Sequence, residues 1–276
     1  MSSQLSDVLP DEDFRFHIGI QQGDPAAFFR PTERHRQLMA QRRYWLGEET
    51  DIYCAALPES EPLLAEATRL ATAWGTVTEA DELTPPGEDN VLERCRALGC
   101  VWEPDFLLLK VEGPGALHLL AGCVCFPSWW NLTEKIGKPI EFIHGVVPGL
   151  NQTLGRSISG FLSKLRPGIS WERANWGLSR SSELNLHPER RMPRLIPPLK
   201  LEEVWLRIED QSLVALPESG GILFGIRLRI VPLGEVKQDE PARRGLVRAL
   251  RTMPGPVADY KGLAKARGDL IDLLEN

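Results

Sequence analysis

Val204-Trp-Leu-Arg-Ile-Glu-Asp-Gln-Ser-Leu-Val-Ala-Leu216, Pro217-Glu-Ser-Gly-Gly221 and Ile222-Leu-Phe-Gly-Ile-Arg-Leu-Arg-Ile-Val-Pro-Leu233 decide the fold class. Two runs rich in β-branched and long apolar residues flank a break whose Pro and Gly residues favour a turn, so they read as a long antiparallel hairpin. Leu206, Ile208 and Gln211 on the first strand, with Phe224, Ile226 and Leu228 on the second, are expected to bury one side of a sheet. Toward the N-terminus, residues 105–111 and 116–126 repeat the pattern around Glu112-Gly113-Pro114-Gly115. Alternation of Phe14, Phe16, Ile18 and Ile20 suggests a further short strand before Gly23-Asp24-Pro25.

Elsewhere the period changes to that of a helix. Leu63, Leu64, Ala67, Leu70, Ala71 and Trp74 share one face over residues 59–74, and Asn90 can cap a short helix over 91–98. Leu150, Leu154, Ile158, Phe161, Leu162 and Leu165 form another apolar face, ended by Pro167-Gly168. The tail, 240–276, is helical with a break at Pro254-Gly255-Pro256, and residues 79–90 form an acidic surface loop. The basic helix pattern of 32–44, with Arg34, Arg36, Arg42 and Arg43, reads either as a solvated face or as a docking surface for an acidic partner. The architecture is one α+β domain over 1–276, with a core at about 100–235 and helical extensions at 30–98 and 239–276.

Composition narrows the functional classes. With 32 basic and 38 acidic residues the net charge of −6 disfavours general binding to nucleic acid or anionic membrane. No apolar run spans a bilayer, and the acidic residues among the first 13 do not suit a secretory signal, which places the chain in the cytoplasm. Five cysteines do not suggest a disulfide framework, and the spacings of Cys95, Cys100, Cys123 and Cys125 match no zinc ribbon. Dinucleotide, Walker, nucleophile-elbow and His-Glu-x-x-His signatures are missing from the sequence.

Residues 125–154 are the densest in special side chains. Trp129, Trp130, Glu134-Lys135 and a lone His144 lie among Pro127, Pro139 and Pro148, so the backbone must turn repeatedly while rings stay near the interior, as a pocket wall does. His144, between apolar neighbours and beside Gly145, is either a hydrogen-bonded core histidine or an axial ligand of iron in a porphyrin walled by the tryptophans. Lys135 is either half of a surface ion pair with Glu134 or a partner for a haem propionate. In the run Arg173-Ala-Asn-Trp176, Arg173 and Asn175 project to one side of an extended chain and Trp176 to the other. That run is either a solvated edge strand or a carboxylate clamp with a polar contact beside it.

Six motifs resemble one family. They are Cys-Phe-Pro-Ser-x-Trp-x-Leu-x-Glu-Lys-Ile-Gly at 125–137, Ile-His-x-x-Val-Pro-Gly at 143–149, Arg-x-Asn-Trp at 173–176, Leu-Arg-Ile-Glu-x-Gln-x-Leu at 206–213, Leu-Pro-x-Ser-Gly at 216–220 and Tyr-Lys-Gly at 260–262. In this order they resemble the haem-binding alpha subunit of the haem-dependent oxidative N-demethylases, of the dimethylamine monooxygenase type. The resemblance implies a PAS-like antiparallel sheet with flanking helices that holds haem b. It also implies oxidation of a secondary methylamine to a primary amine and formaldehyde with dioxygen. Electrons would come from reductase partners carrying FMN and an iron–sulfur cluster. On this reading His144 binds the iron, and Lys135, Arg173, Trp176 and Arg207 contact the cofactor. Trp130 shapes the pocket, and Asn175 and Gln211 orient the amine. Asp210 stands where the family's run suggests Arg, so the pocket's electrostatics are expected to differ. The alternative is a PAS-like haem or small-ligand sensor without turnover.

Overall fold

The computed structural model describes residues 4–77, 90–112, 116–162 and 165–276, with the side chains of 112 and 156–159 outside the description. Seven described strands form one antiparallel sheet: β1 (Gln21–Gly23), β2 (Cys54–Ala56), β3 (Asp105–Glu112), β4 (Ala116–Cys123), β5 (Ser170–Ser179), β6 (Trp205–Leu216) and β7 (Gly221–Pro232), in the order β1-β5-β6-β7-β3-β4-β2. The five central strands, counted from β3, take the order 2-1-5-4-3 with a helical crossover between the second and third. That is the arrangement of a PAS-like sheet within an α+β fold.

Both expected hairpins form. In the second, β6 and β7 pair over their full length from Trp205↔Pro232 to Leu216↔Gly221. Its turn closes with the Gly220 amide donating to Leu216 O at 2.9 Å, and Gly220 takes φ +72, which favours glycine. Buried Glu66 completes it, accepting from the Glu218 and Ser219 amides at 3.0 and 2.7 Å and from Ser219 Oγ at 2.5 Å. The Leu-Pro-x-Ser-Gly motif is thus a turn built to be clamped by one carboxylate. Residues 113–115 of the turn expected at 112–115, and 79–89 of the acidic loop expected over 79–90, lie outside the described residues.

Helices α1 (Leu5–Val8), α2 (Pro25–Phe29), α3 (His35–Glu48), α4 (Thr50–Tyr53), α5 (Glu61–Ala73) and α6 (Val91–Val101) precede the central sheet. Two more, α7 (Ile140–Gly145) and α8 (Leu150–Leu162), make the crossover, and α9 (Leu233–Gln238), α10 (Glu240–Thr252), α11 (Gly255–Tyr260) and α12 (Arg267–Glu275) follow β7. Asn90 caps α6 by accepting from the Leu92 amide at 2.9 Å. None of the described helices is long and apolar enough to cross a membrane.

The two faces of the sheet are covered differently. On one face, Phe106, Leu108, Val214 and Leu223 pack with Phe29, Leu46, Leu63 and Leu98 of the N-terminal helices, while Leu206 and Ile208 pack with Leu246, Leu250 and Leu270 of the C-terminal helices. On the other, Leu107, Leu109, Leu119 and Ile222 meet Ile136, Ile140, Ile143 and Leu162 from the crossover. A bulge at Leu108/Leu109 lets Leu120 and Ala121 both enter the first core.

Three expectations need correction. Leu206 and Ile208 face away from Gln211, because they differ in parity: Gln211 opposes Ile226, whereas Ile208 opposes Arg229. Residues 14–20 form no strand, and β1 covers only Gln21–Gly23, where it pairs with β5; Phe14 and Phe16 instead pack on the C-terminal helical core. Arg42 is not part of a basic helix surface. It is 0% exposed, pairs with Asp105 and donates from Nε to Gly99 O at 2.8 Å. The ring of helices leaves no water for its guanidinium, so an internal carboxylate takes that place.

Asp105 also accepts from the amides of Cys125 and Phe126 at 2.8 and 3.0 Å, tying the start of the 125–137 stretch to the core. Removing it leaves a buried cation unpaired, so Asp105→Ala is expected to destabilise the fold by about 3–5 kcal/mol. The double replacement Arg42→Met with Asp105→Leu, which removes both charges, should recover most of that loss. Urea unfolding followed by circular dichroism measures both.

Candidate functional site

The β5–β6 ladder assembles the polar side chains. Its register places Arg173 opposite Gln211 and Asn175 opposite Glu209, and side chains directly across an antiparallel pair share a face. That face also carries Leu213 and Phe224, which pack toward Ile136, Ile140 and Ile143. The polar group therefore lies on the side of the sheet covered by the crossover, which also contains His144.

Glu209 is the hub. Gln211 Nε2 donates to its Oε2 at 3.0 Å and Asn175 Nδ2 approaches the same oxygen at 3.4 Å. Its charge also acts on Arg173, Lys261 and Tyr260. Lys261 donates to Trp176 O at 2.7 Å and its Nζ lies 5.0 Å from the Trp176 ring centroid. The Tyr-Lys-Gly run thus closes on the part of β5 that β1 does not cover. Burial pushes the Lys261 ammonium down to about 8, with Glu209 opposing and Arg173 adding to the fall.

His144 sits at the C-terminal end of α7, half-buried. Burial lowers its pKa, Arg173 and Lys135 lower it further, and Glu141 opposes them, so the imidazole is neutral at pH 7. Among the described residues neither ring nitrogen has a hydrogen-bond partner.

The remaining expected residues divide. Lys135 is half-buried, its Nζ lies 5.8 Å from the Trp130 ring centroid, and burial lowers its pKa against the pull of Glu134. Trp130 and Ile143 both join the crossover-side core. Trp176 points to the opposite face, into the C-terminal core. Arg207 is 2% exposed and its donors are engaged: Nη1 with Glu183 O at 2.6 Å, Nη2 with Leu184 O at 2.8 Å, and Nε and Nη2 with Ser128 Oγ at 3.4 and 3.3 Å. It binds the 183–184 segment to the strap that leads to Trp130. Asp210 lies on the far face and forms two contacts with Arg229, at 2.5 and 2.9 Å, so the unusual residue acts away from the polar group.

Among the described residues, Arg173 Nε, Trp171 Nε1 and Asn151 Oδ1 are buried polar atoms around this face without partners. Buried polar atoms are ordinarily satisfied, so such a group marks where an outside ligand would supply bonds. A neutral imidazole, a half-buried guanidinium with a spare Nε donor and a partly desolvated lysine suit a haem with its propionates. Nearby, an apolar groove of about 450 Å³ runs between Phe14 and Phe16, the Pro148-Gly149 turn and Pro254 to Val257. Sequence reasoning assigned no role to Glu209, Lys261 or Tyr260. The signal available was the shared parity of Glu209 and Gln211.

Lys261 supplies a test of this electrostatic picture. Its folded pKa lies below the unfolded value of about 10.4, so the unfolded chain holds more protons between these limits. Stability from this group accordingly rises as pH climbs from about 8 toward that unfolded value, and Lys261→Met should remove the rise. Glu209→Gln, which deletes the charge that favours the ammonium, should lower the Lys261 pKa below about 8 when followed by NMR of carbon-13-labelled lysine.

The family described as haem-dependent oxidative N-demethylase, alpha subunit-like, matches residues 75–271, well over half of the chain, and the chain belongs to that family.

Proposed function

We propose that this chain is the haem-carrying subunit of an oxidative demethylase acting on a secondary methylamine. On this reading it binds haem b through His144. The observation that carries the proposal is the neutral His144 imidazole beside Arg173, a half-buried cation whose buried Nε has no acceptor among the described residues. Arg173 and Lys135 would bind the propionates, and Trp130 would bound the pocket.

Bound haem supplies the oxidation with dioxygen, while the chain supplies position and electrostatics. A secondary methylamine is a cation near neutral pH, and Glu209 is the carboxylate held on this face by Gln211 and Asn175. Glu209 would pair with the ammonium, and the two amides would fix the carboxylate's orientation. Lys261, brought down to about 8, would hold or release a proton close to neutral pH. Trp176 would support this corner from behind by carrying Lys261 on its ring and carbonyl. Arg207 would position the strap before Trp130. Electrons would come from a partner reductase with FMN and an iron–sulfur cluster.

Titration of the purified protein with haemin should produce a saturable Soret band, and His144→Ala should abolish its ligated form. Arg173→Ala should weaken haem affinity about tenfold to a hundredfold, the worth of a charge-assisted hydrogen bond. Haem binding unchanged in both variants would overturn the assignment. With haem bound, dioxygen and a surrogate reductant, formaldehyde should form from a secondary methylamine. Glu209→Gln should raise the amine concentration needed for half-maximal rate while leaving the haem spectrum intact.

A further inference from the structure

Four of the five cysteines converge at a place the haem reading does not use. Cys54, Cys95, Cys123 and Cys125 are each buried at 2% exposure or less, and come from β2, α6 and the end of β4. Arg42 adjoins two of them: its Nη2 donates to Cys123 Sγ at 3.2 Å and its charge acts on Cys125, while Nη1 pairs with Asp105. That cation beside Cys123 and Cys125 opposes a metal ion there.

The sheet register adds a second observation. Cys54 lies directly opposite Cys123 on the β2–β4 pair. The Val124 amide donates to Tyr53 O at 2.7 Å and the Leu57 amide to Leu120 O at 2.9 Å. These bonds flank Cys54↔Cys123 and make it a non-hydrogen-bonded pair, the kind whose Cα atoms approach to about 4.5 Å. That separation falls within the range that a disulfide spans, about 4.4–6.8 Å. Gly99 on α6 packs against the Cys123 sulfur so closely that a Cβ would collide with it, which limits where that sulfur can go.

We infer that Cys123 and Cys54 are a redox pair: the Cys123 sulfur, to which Arg42 donates, reacts first, and a hydroperoxide converts the pair to a cross-strand disulfide. The thiolate sulfur attacks one peroxide oxygen and the O–O bond breaks, releasing hydroxide and leaving a sulfenic acid on Cys123. Cys54 then loses its proton and attacks that sulfur, expelling hydroxide, which becomes water. In sum two thiols and one hydrogen peroxide give one disulfide and two waters, the cysteines losing two electrons and the peroxide gaining them.

The electrostatics agree with this division of labour. Burial alone would raise the Cys123 pKa, but donation from the Cys125 and Cys54 thiols and from Arg42 brings it well below the ordinary thiol range. Cys54 is raised, first by its bond to Cys123, and Cys125 is raised by burial, so both remain protonated donors. Asp105, Cys95 and Cys100 are the other titratable groups in this region, with Arg96 and Arg43 near Cys100. The consequence for the fold is local: oxidation removes the anionic acceptor of Arg42, the same residue that holds Asp105 and, through it, the amides of Cys125 and Phe126. The inference is independent of the haem reading.

The test is thiol mapping on the full chain after treatment with dilute hydrogen peroxide, with free thiols alkylated before digestion. Wild type and Cys125→Ala should both yield a Cys54–Cys123 linked peptide pair that dithiothreitol separates. Cys54→Ala should yield no such pair and should let dimedone label Cys123. In wild type the rate should stay within about twofold between pH 7 and pH 9, where a thiol of ordinary pKa speeds up more than tenfold. Arg42→Met should slow the reaction about tenfold or more, and the wild-type pH profile decides the point if that variant does not fold. A Cys123–Cys125 link, or Cys54 and Cys123 left fully alkylated while half-buried Cys100 is oxidised, would overturn the inference.

Discussion

The candidate site depends on the pairing of β5 with β6. Along ten consecutive pairs, from Ser170↔Val214 to Ser179↔Trp205, the register puts Arg173, Asn175, Glu209 and Gln211 on one face. A slip of one residue would send β6 to the other side and replace Glu209 and Gln211 by Asp210 and Ser212. That slip is resisted by the cores, since it would also turn Leu206 and Ile208 out of the C-terminal helical core, where both are 0% exposed. Apolar packing on the far face therefore sets the placement of charges on the near face.

The second constraint is a set of buried ions in which each charge performs a tethering task. Arg42 and Asp105 join α3 to β3 and to the start of the 125–137 stretch. Glu103 accepts from the Thr32 amide at 2.9 Å and pairs with Arg227, which in turn donates to Phe28 O at 2.6 Å, so the N-terminal segment is held to β7. Arg207 and Glu66 do the same for the 183–184 segment and the β6–β7 turn. Buried pairs of this kind add little net stability over apolar packing, but losing one partner is costly, so they specify how segments meet.

Near the site the same physics yields reactivity in place of tethering. His144, Arg173 and Lys261 all lose solvent, and each pKa falls for that reason first. Only Glu209 among the groups acting on Arg173 and Lys261 favours their charged forms. Its own ties to Gln211 and Asn175 keep it in place. A region with two cations, a neutral imidazole, the Glu209 carboxylate and unpaired buried atoms is poorly satisfied as a core, which is where an outside ligand would supply bonds.

Local patterns in the sequence determined the four strands of the two long hairpins, most helices and the position of the special stretch, because periods of 2.0 and 3.6 and the placement of Pro and Gly are properties of neighbouring residues. The alternation that sends Arg173 and Asn175 one way and Trp176 the other was equally legible. Tertiary structure decided what depends on distance across the chain. Arg42 sits on a helix that reads as solvated, and only the arrival of Asp105, far along the chain, shows why its charge is buried. Glu209 becomes a hub only when β5 lies beside β6 and Lys261 closes over Trp176. Cys54 and Cys123 become partners only when β2 joins the sheet edge. Sequence patterning specifies which face a side chain takes; which charges and sulfurs meet there is set by packing between segments that the pattern cannot relate.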